Sequence, residues 1–410
     1  MAQRIDRRDF LVQAAGALAA SAIISHVAHA RLRLDQATGV GIIGCGRQGR
    51  AIIAELLSIE GVTIPAACDV DDGRLRSALR RAQGIEGVAD YRALLDRKDV
   101  SAVCIATPTH LHKQIALDAI AAGKHVYCEA PIAHTVDDCR AIARAARGAK
   151  VVFASGLQGR SNPVYKLAWT FFRSDAVRDL VAMQAQSMQK TTWRSPASDA
   201  AREKAFNWRL DPEVSLGLAG ELGTQQFDVL HWYTGRYPVS VAGNGSIRAY
   251  NDGRQVPDTI ALDLAFERGE RLQYLASIAA TYGREFEVLW GTNATIKLAW
   301  SHGWMFKEAD APTQGWEVYA NRQQFHNDEG ITLIADATKL ASQGKLKEGV
   351  GLPFSSLYYA LGNFLEATTG SAEVACSADE GARATIVGIH AARAVREGVR
   401  VEIPPDALVV

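Results

Sequence analysis

The sequence predicts a doubly wound α/β domain with a parallel sheet, followed by an α+β domain with a large, mostly antiparallel open sheet. Three observations predict this order. Short apolar runs alternate with helical patterns up to residue 155, which is typical of strands buried on both faces of a parallel sheet. Beyond residue 155, longer stretches alternate apolar and polar residues between Gly, Asn and Asp turns. A chain of 410 residues is also long for one domain.

The composition gives no sign of a strongly charged partner. Lys plus Arg and Asp plus Glu both number 45, so the formal net charge is zero and no basic excess favours nucleic acid. The six cysteines show no C-x-x-C pairing, and most lie in apolar runs. This predicts buried free thiols and no metal site.

The first 30 residues predict an export signal. They carry a twin arginine (Arg7-Arg8), continue through an Ala-rich apolar stretch, and end at Ala30 in an A-x-A pattern. The alternative is an uncleaved membrane anchor, which Gln13 and His26 weaken because a span needs about 20 strongly apolar residues. We expect a twin-arginine signal peptide over residues 1–30, cleavage after Ala30, a periplasmic protein, and no other membrane association.

A glycine motif after the first strand predicts a dinucleotide site. Residues 39–43 form a short apolar strand that leads directly into "GCGRQG", a G-x-G-x-x-G pattern. The first glycine permits a tight turn, the second lets N–H groups approach a pyrophosphate, and the third lets the next helix pack on the strand. That helix begins at once, so its positive end faces the phosphates. The predicted contacts are Gly44, Gly46, Arg47, Gln48 and Gly49.

A carboxylate at the end of the next strand indicates which dinucleotide binds. Asp69 ends the apolar run at residues 62–70, where a carboxylate would accept hydrogen bonds from an adenosine ribose 2′-hydroxyl. Its charge would repel a 2′-phosphate, which favours NAD over NADP, although Arg74 and Arg76 leave NADP open. With the β-α-β alternation around it, the motif predicts a Rossmann domain over residues 38–155.

The predicted second domain covers residues 156–370. Within it, residues 221–235 read as one helix, which at 3.6 residues per turn places Glu221, Gln225 and Asp228 on one face. An open sheet face commonly becomes an oligomer interface, so we expect a homodimer or homotetramer. Residues 371–410 predict one more helix and a tail that pack back on the first domain.

Several stretches together resemble one protein family. In chain order they are "GIIGCGRQG", "CDVD", "ATPTHLH", "AGKHVYCEAP" and "NWRLDPEVSLGLAGELGTQQFDVLHWYTG". The chain resembles the Gfo/Idh/MocA oxidoreductases, the family of glucose–fructose oxidoreductase and inositol dehydrogenase. The resemblance implies an NAD(P)-dependent enzyme that acts on a sugar or polyol. It assigns the pyrophosphate to the three glycines and the ribose to Asp69. It also places Thr107, Pro108 and His112 beside the nicotinamide and Glu129 on the nicotinamide ribose.

Two expected ionisable residues are missing. The family has Glu-Lys-Pro where this chain has Glu129-Ala130-Pro131, and it has a histidine where this chain has Gln225. Asp228 of the same motif remains. Alanine offers no proton, glutamine cannot titrate, and a positioned proton-transfer group contributes about 10²–10⁴-fold in rate.

Other residues could supply the missing proton transfer or bind the substrate. Asp228, Glu221, His231, Tyr127 and His134 are the candidates for a proton relay. Trp193, Trp208 and Arg209 suit recognition of a sugar by stacking and hydrogen bonding, and they also suit ordinary packing.

Three functions remain open at this stage. The first is a periplasmic oxidoreductase of a sugar or polyol with a rerouted proton path. Because the periplasm lacks free nicotinamide nucleotide, its NAD would stay tightly bound and be recycled by a second substrate. The second is an NAD-dependent glycosidase that oxidises a sugar transiently so that elimination can cleave the glycosidic bond. The third is a non-catalytic binding protein that keeps the dinucleotide as a structural part, which the double loss favours.

Overall fold

The computed structural model describes residues 31–81, 83–313, 320–335 and 349–410, together with the single residues 317, 337, 340, 343 and 345. The predicted signal peptide, residues 1–30, lies outside the described residues. Two sheets organise the described chain, one in each half.

The first sheet is parallel. Its strands run in the order β4-β3-β1-β5-β6-β7, and β2 pairs with the outer part of β1. Helices cover both faces, since α1 packs in one apolar cluster while α4 and α5 pack in another. The strands are β1 Arg33–Ile43, β2 Glu60–Thr63, β3 Ala66–Cys68, β4 Glu86–Val88, β5 Ala102–Ile105, β6 His125–Cys128 and β7 Phe153–Ser155. The helices are α1 Arg47–Leu56, α2 Asp72–Leu79, α3 Tyr91–Leu95, α4 His112–Ala121 and α5 Val136–Gly148.

One predicted strand of this sheet is divided. The apolar run at residues 62–70 forms the end of β2 and then β3, with Ile64 and Pro65 between them. Proline has no N–H to donate to a ladder, which accounts for the break. The break brings Asp69 to the end of β3, directly beside β1.

The second sheet is mostly antiparallel. Its order is β15-β16-β14-β13-β12-β8-β11-β10-β9-β17, and the pair β8–β11 is parallel whereas its other pairs are antiparallel. Its strands are β8 Leu180–Met188, β9 Ser240–Ser246, β10 Thr259–Ala265, β11 Arg271–Ser277, β12 Glu285–Gly291, β13 Ala294–Ala299, β14 His302–Lys307, β15 Arg322–Phe325, β16 Asp328–Thr332 and β17 Val401–Glu402. The predicted fold class, an α/β domain followed by an α+β domain with an open sheet, is confirmed.

The helices in the second half of the described chain are α6 Pro163–Arg173, α7 Ala200–Phe206, α8 Gly217–Glu221, α9 Gly223–Thr234, α10 Ser356–Thr368 and α11 Ala378–Glu397. Of these, α6, α8, α9 and part of α11 pack on one face of the second sheet. Tyr165 of α6 and Phe227 of α9 join the sheet core. The opposite face presents Leu275 and Trp290, which are 37% and 36% exposed.

Two helices late in the chain join the domains. Leu361 and Phe364 of α10 are buried with Ile52 of α1, so this helix belongs to the core of the first domain. The first half of α11 packs in the first domain through Ala382, and its second half packs under the second sheet through Ala391. These helices fix the two domains on either side of a cleft.

The six cysteines are free and buried, as their apolar surroundings predict. Among the described residues no group of His, Cys, Asp and Glu is arranged to hold a metal ion. Nor does the described chain contain a helix of the length and apolarity needed to cross a membrane.

Candidate functional site

The turn after β1 is built to receive a pyrophosphate. Gly44 has φ +96°, and a Cβ there would lie 2.6 Å from the Ala106 carbonyl oxygen. A Cβ on Gly49 would lie 1.8 Å from the Gly44 carbonyl oxygen, so this glycine lets α1 approach the strand. A Cβ on Gly46 would meet nothing within 4 Å, because this residue faces the cleft. No side chain caps the N–H groups at the start of α1, so they are free to bind an anion in the cleft that Gly46 faces.

Asp69 lies beside this turn with its carboxylate fixed. Oδ2 accepts a hydrogen bond from the Cys45 N–H at 2.7 Å, and Oδ1 accepts one from the Asp71 N–H at 2.8 Å. Arg47 and Gln48 also line the cleft. The residues predicted to hold the pyrophosphate and the adenosine ribose are therefore brought together, and their shape fits a dinucleotide.

The loop after β5 forms the next part of the wall. Thr107, Pro108 and His112 all line the cleft. The buried His112 ring lies 2.9 Å from the Pro131 carbonyl oxygen through Nδ1 and 2.9 Å from the Thr107 carbonyl oxygen through Nε2. Burial lowers the pKa of His112 to about 4, and the neutral ring has one N–H, which it donates to one of these two carbonyl oxygens.

Glu129 and Ala130 follow β6. The Glu129 Oε1 accepts a hydrogen bond from Gln48 Nε2 at 2.8 Å, and burial raises the pKa of Glu129 to about 7. Ala130 also lines the cleft, and it packs against Leu157 and its buried neighbours. A lysine at this position would have access to the cleft. The alanine therefore leaves this part of the cleft wall without an ammonium group.

The predicted helix over residues 221–235 is divided at Leu222. Glu221 ends α8, and α9 begins at Gly223. Glycines at 220 and 223 weaken a continuous helix. Of the three residues predicted to share one face of this helix, Glu221 and Gln225 line the cleft and Asp228 does not.

Gln225 and Asp228 are held by the segment that follows β7. Gln225 Nε2 donates to the Gly156 carbonyl oxygen at 2.7 Å, and its Oε1 accepts from the Gln158 N–H at 3.2 Å. Asp228 is fully buried and accepts two hydrogen bonds from Arg160, at 2.9 and 2.8 Å. Gln225 reaches the cleft wall, whereas Asp228 does not.

Glu221 has the surroundings of a reactive carboxylate. It lines the cleft with a side chain only 2% exposed. Oε2 accepts a hydrogen bond from Thr109 Oγ1 at 3.0 Å and lies 3.9 Å from Arg209 Nε. Burial raises the pKa of Glu221 above its usual value. The other relay candidates, Tyr127, His134 and His231, are described but do not line the cleft.

His110 is a cleft residue that the sequence reasoning missed. It lies in the short 3₁₀ turn Thr109–Leu111, and its Nδ1 is buried with no hydrogen-bond partner among the described residues. Burial and the neighbouring His134 lower the pKa of His110. The available signal was the "THLH" stretch itself, in which only the second histidine was assigned to the site.

The three residues predicted to bind a sugar meet at the same wall. The Arg209 guanidinium lies 4.5 Å from the centre of the Trp208 ring and 5.6 Å from that of Trp193. The cleft that all these residues line measures about 1690 Å³. Pockets for one drug-sized ligand measure about 300–1,000 Å³, so this cleft has room for a dinucleotide and a small substrate.

Comparison with known proteins identifies the family. Residues 38–157 match the oxidoreductase family model "NAD-binding Rossmann fold", and residues 186–403 match its "C-terminal alpha/beta domain". The chain belongs to the Gfo/Idh/MocA oxidoreductase family. The predicted family and its NAD-binding Rossmann class are thereby confirmed.

Individual relatives are distant. Levoglucosan dehydrogenase of Pseudarthrobacter phenanthrenivorans is 26% identical over 211 residues, 49% of this chain and 52% of the relative, so the match spans about half of each protein. Inositol 2-dehydrogenase 2 of Saccharopolyspora erythraea is 27% identical over 60% of this chain and 68% of its own. A glycosyl hydrolase family 109 protein of Shewanella pealeana is 35% identical over 109 residues, 24% of each chain.

Solved structures share the fold over nearly the whole chain. A levoglucosan dehydrogenase in complex with NADH has a TM-score of 0.70 at 20% identity, covering 90% of this chain and 99% of its own. An oxidoreductase domain protein from Kribbella flavida has a TM-score of 0.72 at 20% identity, with coverage of 90% and 100%. At this identity the likeness establishes the fold alone.

Proposed function

We propose that this protein is an NAD-dependent oxidoreductase that oxidises a hydroxyl group of a sugar or polyol. The observation that carries the proposal is the cradle formed by Gly44, Gly46 and Gly49 with the fixed Asp69 carboxylate, opening into a cleft that continues to Trp193 and Arg209. Asp69 selects NAD, because its charge would repel the 2′-phosphate of NADP.

The far end of the cleft suits a neutral polyhydroxylated substrate. Trp193 and Trp208 supply aromatic surface, and Arg209, Gln158 and Gln189 supply donors and acceptors for hydroxyl groups. The names of two relatives, levoglucosan dehydrogenase and inositol 2-dehydrogenase, point to cyclic compounds of this class. We extend that substrate class to this chain.

Glu221 is our assignment for the proton acceptor in place of the absent lysine. When bound, the nicotinamide ring would accept a hydride from the carbinol carbon. Glu221 takes the hydroxyl proton, since it is desolvated, lines the cleft and has a raised pKa, which brings its basicity closer to that required at neutral pH. Thr109 orients the carboxylate through their 3.0 Å hydrogen bond. Asp228, paired with Arg160, stabilises the fold instead.

Glu129 and His112 have positioning roles in this scheme. The Gln48–Glu129 hydrogen bond links the pyrophosphate turn to the end of β6, where the nicotinamide ribose would lie. His112 lies between the Thr107 and Pro131 carbonyl oxygens, beside the nicotinamide position, and its one N–H donates to one of them. Both groups hold the cofactor rather than exchange protons with the substrate.

A second candidate, an NAD-dependent glycosidase, has specific support. The glycosyl hydrolase family 109 relative matches at 35% identity over 109 residues, and this chain lacks the lysine at position 130. Release of nitrophenol from nitrophenyl glycosides, without net formation of NADH, would select this candidate.

Location and assembly are part of the proposal. The twin arginine and A-x-A pattern in residues 1–30 support export to the periplasm with NAD already bound tightly. The exposed Leu275 and Trp290 on the open sheet face support a homodimer or homotetramer.

The proposal is tested by the nucleotide that the purified protein carries. After denaturation, released NAD or NADH is expected in an amount approaching one per chain, and NADP is expected only in traces. A protein that carries no nucleotide and binds none when NAD is added would refute the proposal.

A further inference from the structure

The adenosine end of the cleft has a wall that comes from the second domain. The chain leaves β8 at Met188 and reaches α7 (Ala200–Phe206) before it returns to the core. Residues of α7 line the same cleft as Asp69 and the segment that follows it. These α7 residues are Ala200, Ala201, Lys204, Ala205 and Phe206.

Two contacts join α7 to the first domain at this point. Arg202 forms an ion pair with Asp71, whose side chain is only 12% exposed. The Arg74 guanidinium lies 3.8 Å from the centre of the Phe206 ring. Asp71 follows the ribose carboxylate Asp69 by two residues, and the Asp71 N–H donates to it. The contacts therefore close the cleft beside the predicted ribose site.

An apolar side chain is exposed to solvent at the adenosine end of the cleft. Val70, between Asp69 and Asp71, is 90% exposed and lines the cleft. A flat aromatic base covering Val70 would remove this apolar surface from water. Val70 and α7 are both parts of the wall at this end, so a base bound there would have α7 beside it.

Few interactions hold α7 in place. None of its seven residues is buried, and a helix this short is not stable alone. Its start is capped by Asp199, which accepts from the Arg202 N–H at 2.9 Å, and Glu203 pairs with Arg194 at 2.9 Å. Beyond these local contacts, the Arg202–Asp71 ion pair and the Arg74–Phe206 cation–π contact join α7 to the first domain.

We propose that α7 is part of the cofactor site: it covers the adenosine end of the bound dinucleotide, and Arg202 and Phe206 slow its release. The inference rests on the proposed binding of NAD. It gives a physical cause for tight binding, since the dinucleotide leaves only after the pairs between α7 and the first domain break.

The test measures release directly. The purified full chain is loaded with NADH, mixed with an excess of NAD, and the loss of bound NADH fluorescence gives the dissociation rate. Arg202→Ala and Phe206→Ala should each raise this rate about twofold to fivefold, and the double variant about tenfold, from the usual strength of exposed ion pairs and cation–π contacts. Arg202→Lys should stay closer to the wild-type rate than Arg202→Ala.

A matched control is available on the second sheet. Arg271 is 49% exposed and pairs with Asp263, much as Arg202 is 44% exposed and pairs with Asp71. Asp71 lines the cleft, whereas neither Arg271 nor Asp263 does. Arg271→Ala should leave the rate unchanged. Circular dichroism and the thermal midpoint identify any variant that is misfolded, and Arg202→Ala, at an exposed position, keeps the test valid if Phe206→Ala does not fold.

Failure of the proposed function and failure of the inference about α7 would give different results. Wild-type protein that binds no NADH would refute the proposed function, and this inference with it. Protein that binds NADH but releases it at the wild-type rate in the folded Arg202→Ala and Phe206→Ala variants would refute the role of α7 alone.

Discussion

Replacing Asp228 by Asn distinguishes a structural carboxylate from a catalytic one. Asp228 is fully buried and accepts two hydrogen bonds from Arg160, which also pairs with Glu380. Removing one partner of a buried ion pair costs about 3–5 kcal/mol. Because Glu380 still pairs with Arg160, we expect Asp228→Asn to lower the free energy of unfolding by about 3 kcal/mol.

The matched variant, Glu221→Gln, should behave in the opposite way. Glu221 is a buried carboxylate whose pKa burial raises, so loss of its charge should leave stability unchanged or increase it. If it accepts the substrate proton, its loss should reduce turnover about 10²–10⁴-fold. In the wild type, kcat/KM should rise as the pH rises through this raised pKa, because the ionised carboxylate is the base.

Two assays separate the outcomes. Urea unfolding followed by tryptophan fluorescence gives stability, and NADH formed per bound nucleotide gives turnover of folded protein. Asp228→Asn should keep turnover within about threefold of wild type, whereas loss of a proton-transfer group costs about 100-fold or more. An Asp228→Asn protein that is as stable as wild type but about 100-fold slower would refute this reasoning and return Asp228 to the proton path.

Three further predictions follow from the geometry. Gly46→Ala should fold normally, because its Cβ meets nothing within 4 Å, but titration should show NAD binding weakened about tenfold or more. Gly49→Ala should instead lose about 3 kcal/mol of stability, because its Cβ would lie 1.8 Å from a carbonyl oxygen. Equal NAD binding by the folded Gly46→Ala variant and by wild type would contradict the pyrophosphate site. Ala130→Lys should raise turnover about tenfold or more, because the amine would add a second proton acceptor at the cleft wall beside Glu221; an unchanged rate with NAD bound would contradict this prediction. Burial raises the pKa of Glu287 to about 8, so this carboxyl should contribute a fall in stability of about 1.4 kcal/mol per pH unit between about pH 4.5 and pH 8. Urea unfolding should show a slope with pH that is shallower by this amount in Glu287→Gln than in wild type; the same slope in both proteins would contradict it.

The cofactor cradle could be predicted from the sequence because its parts are local. The glycine turn, the start of α1 and the end of the next strand lie within about 30 residues. At each of these places the residue type indicates the local backbone conformation or the contact with the cofactor. Gly44 and Asp69 are accordingly found where the pattern predicts them. Pro65 divides the intervening strand without moving Asp69 away from β1.

The proton-transfer residues could not be assigned in the same way. The partner of Asp228 is Arg160, 68 residues earlier in the chain, in a short 3₁₀ turn that carries no periodic signal. Gln225 is likewise held by main-chain groups near residue 156. Helical spacing gives the direction of a side chain from its own axis, but it does not show which distant group that side chain meets.

The most direct test of the central claim follows the near-ultraviolet absorbance of reduced nicotinamide in the purified, NAD-loaded protein. We predict that at least one cyclic sugar or polyol produces this absorbance, up to one equivalent per bound nucleotide, and that Glu221→Gln slows its appearance about 100-fold. Bound NAD that no sugar or polyol reduces, with nitrophenyl glycosides also left uncleaved, would contradict the account and favour a protein that holds its dinucleotide without catalysis.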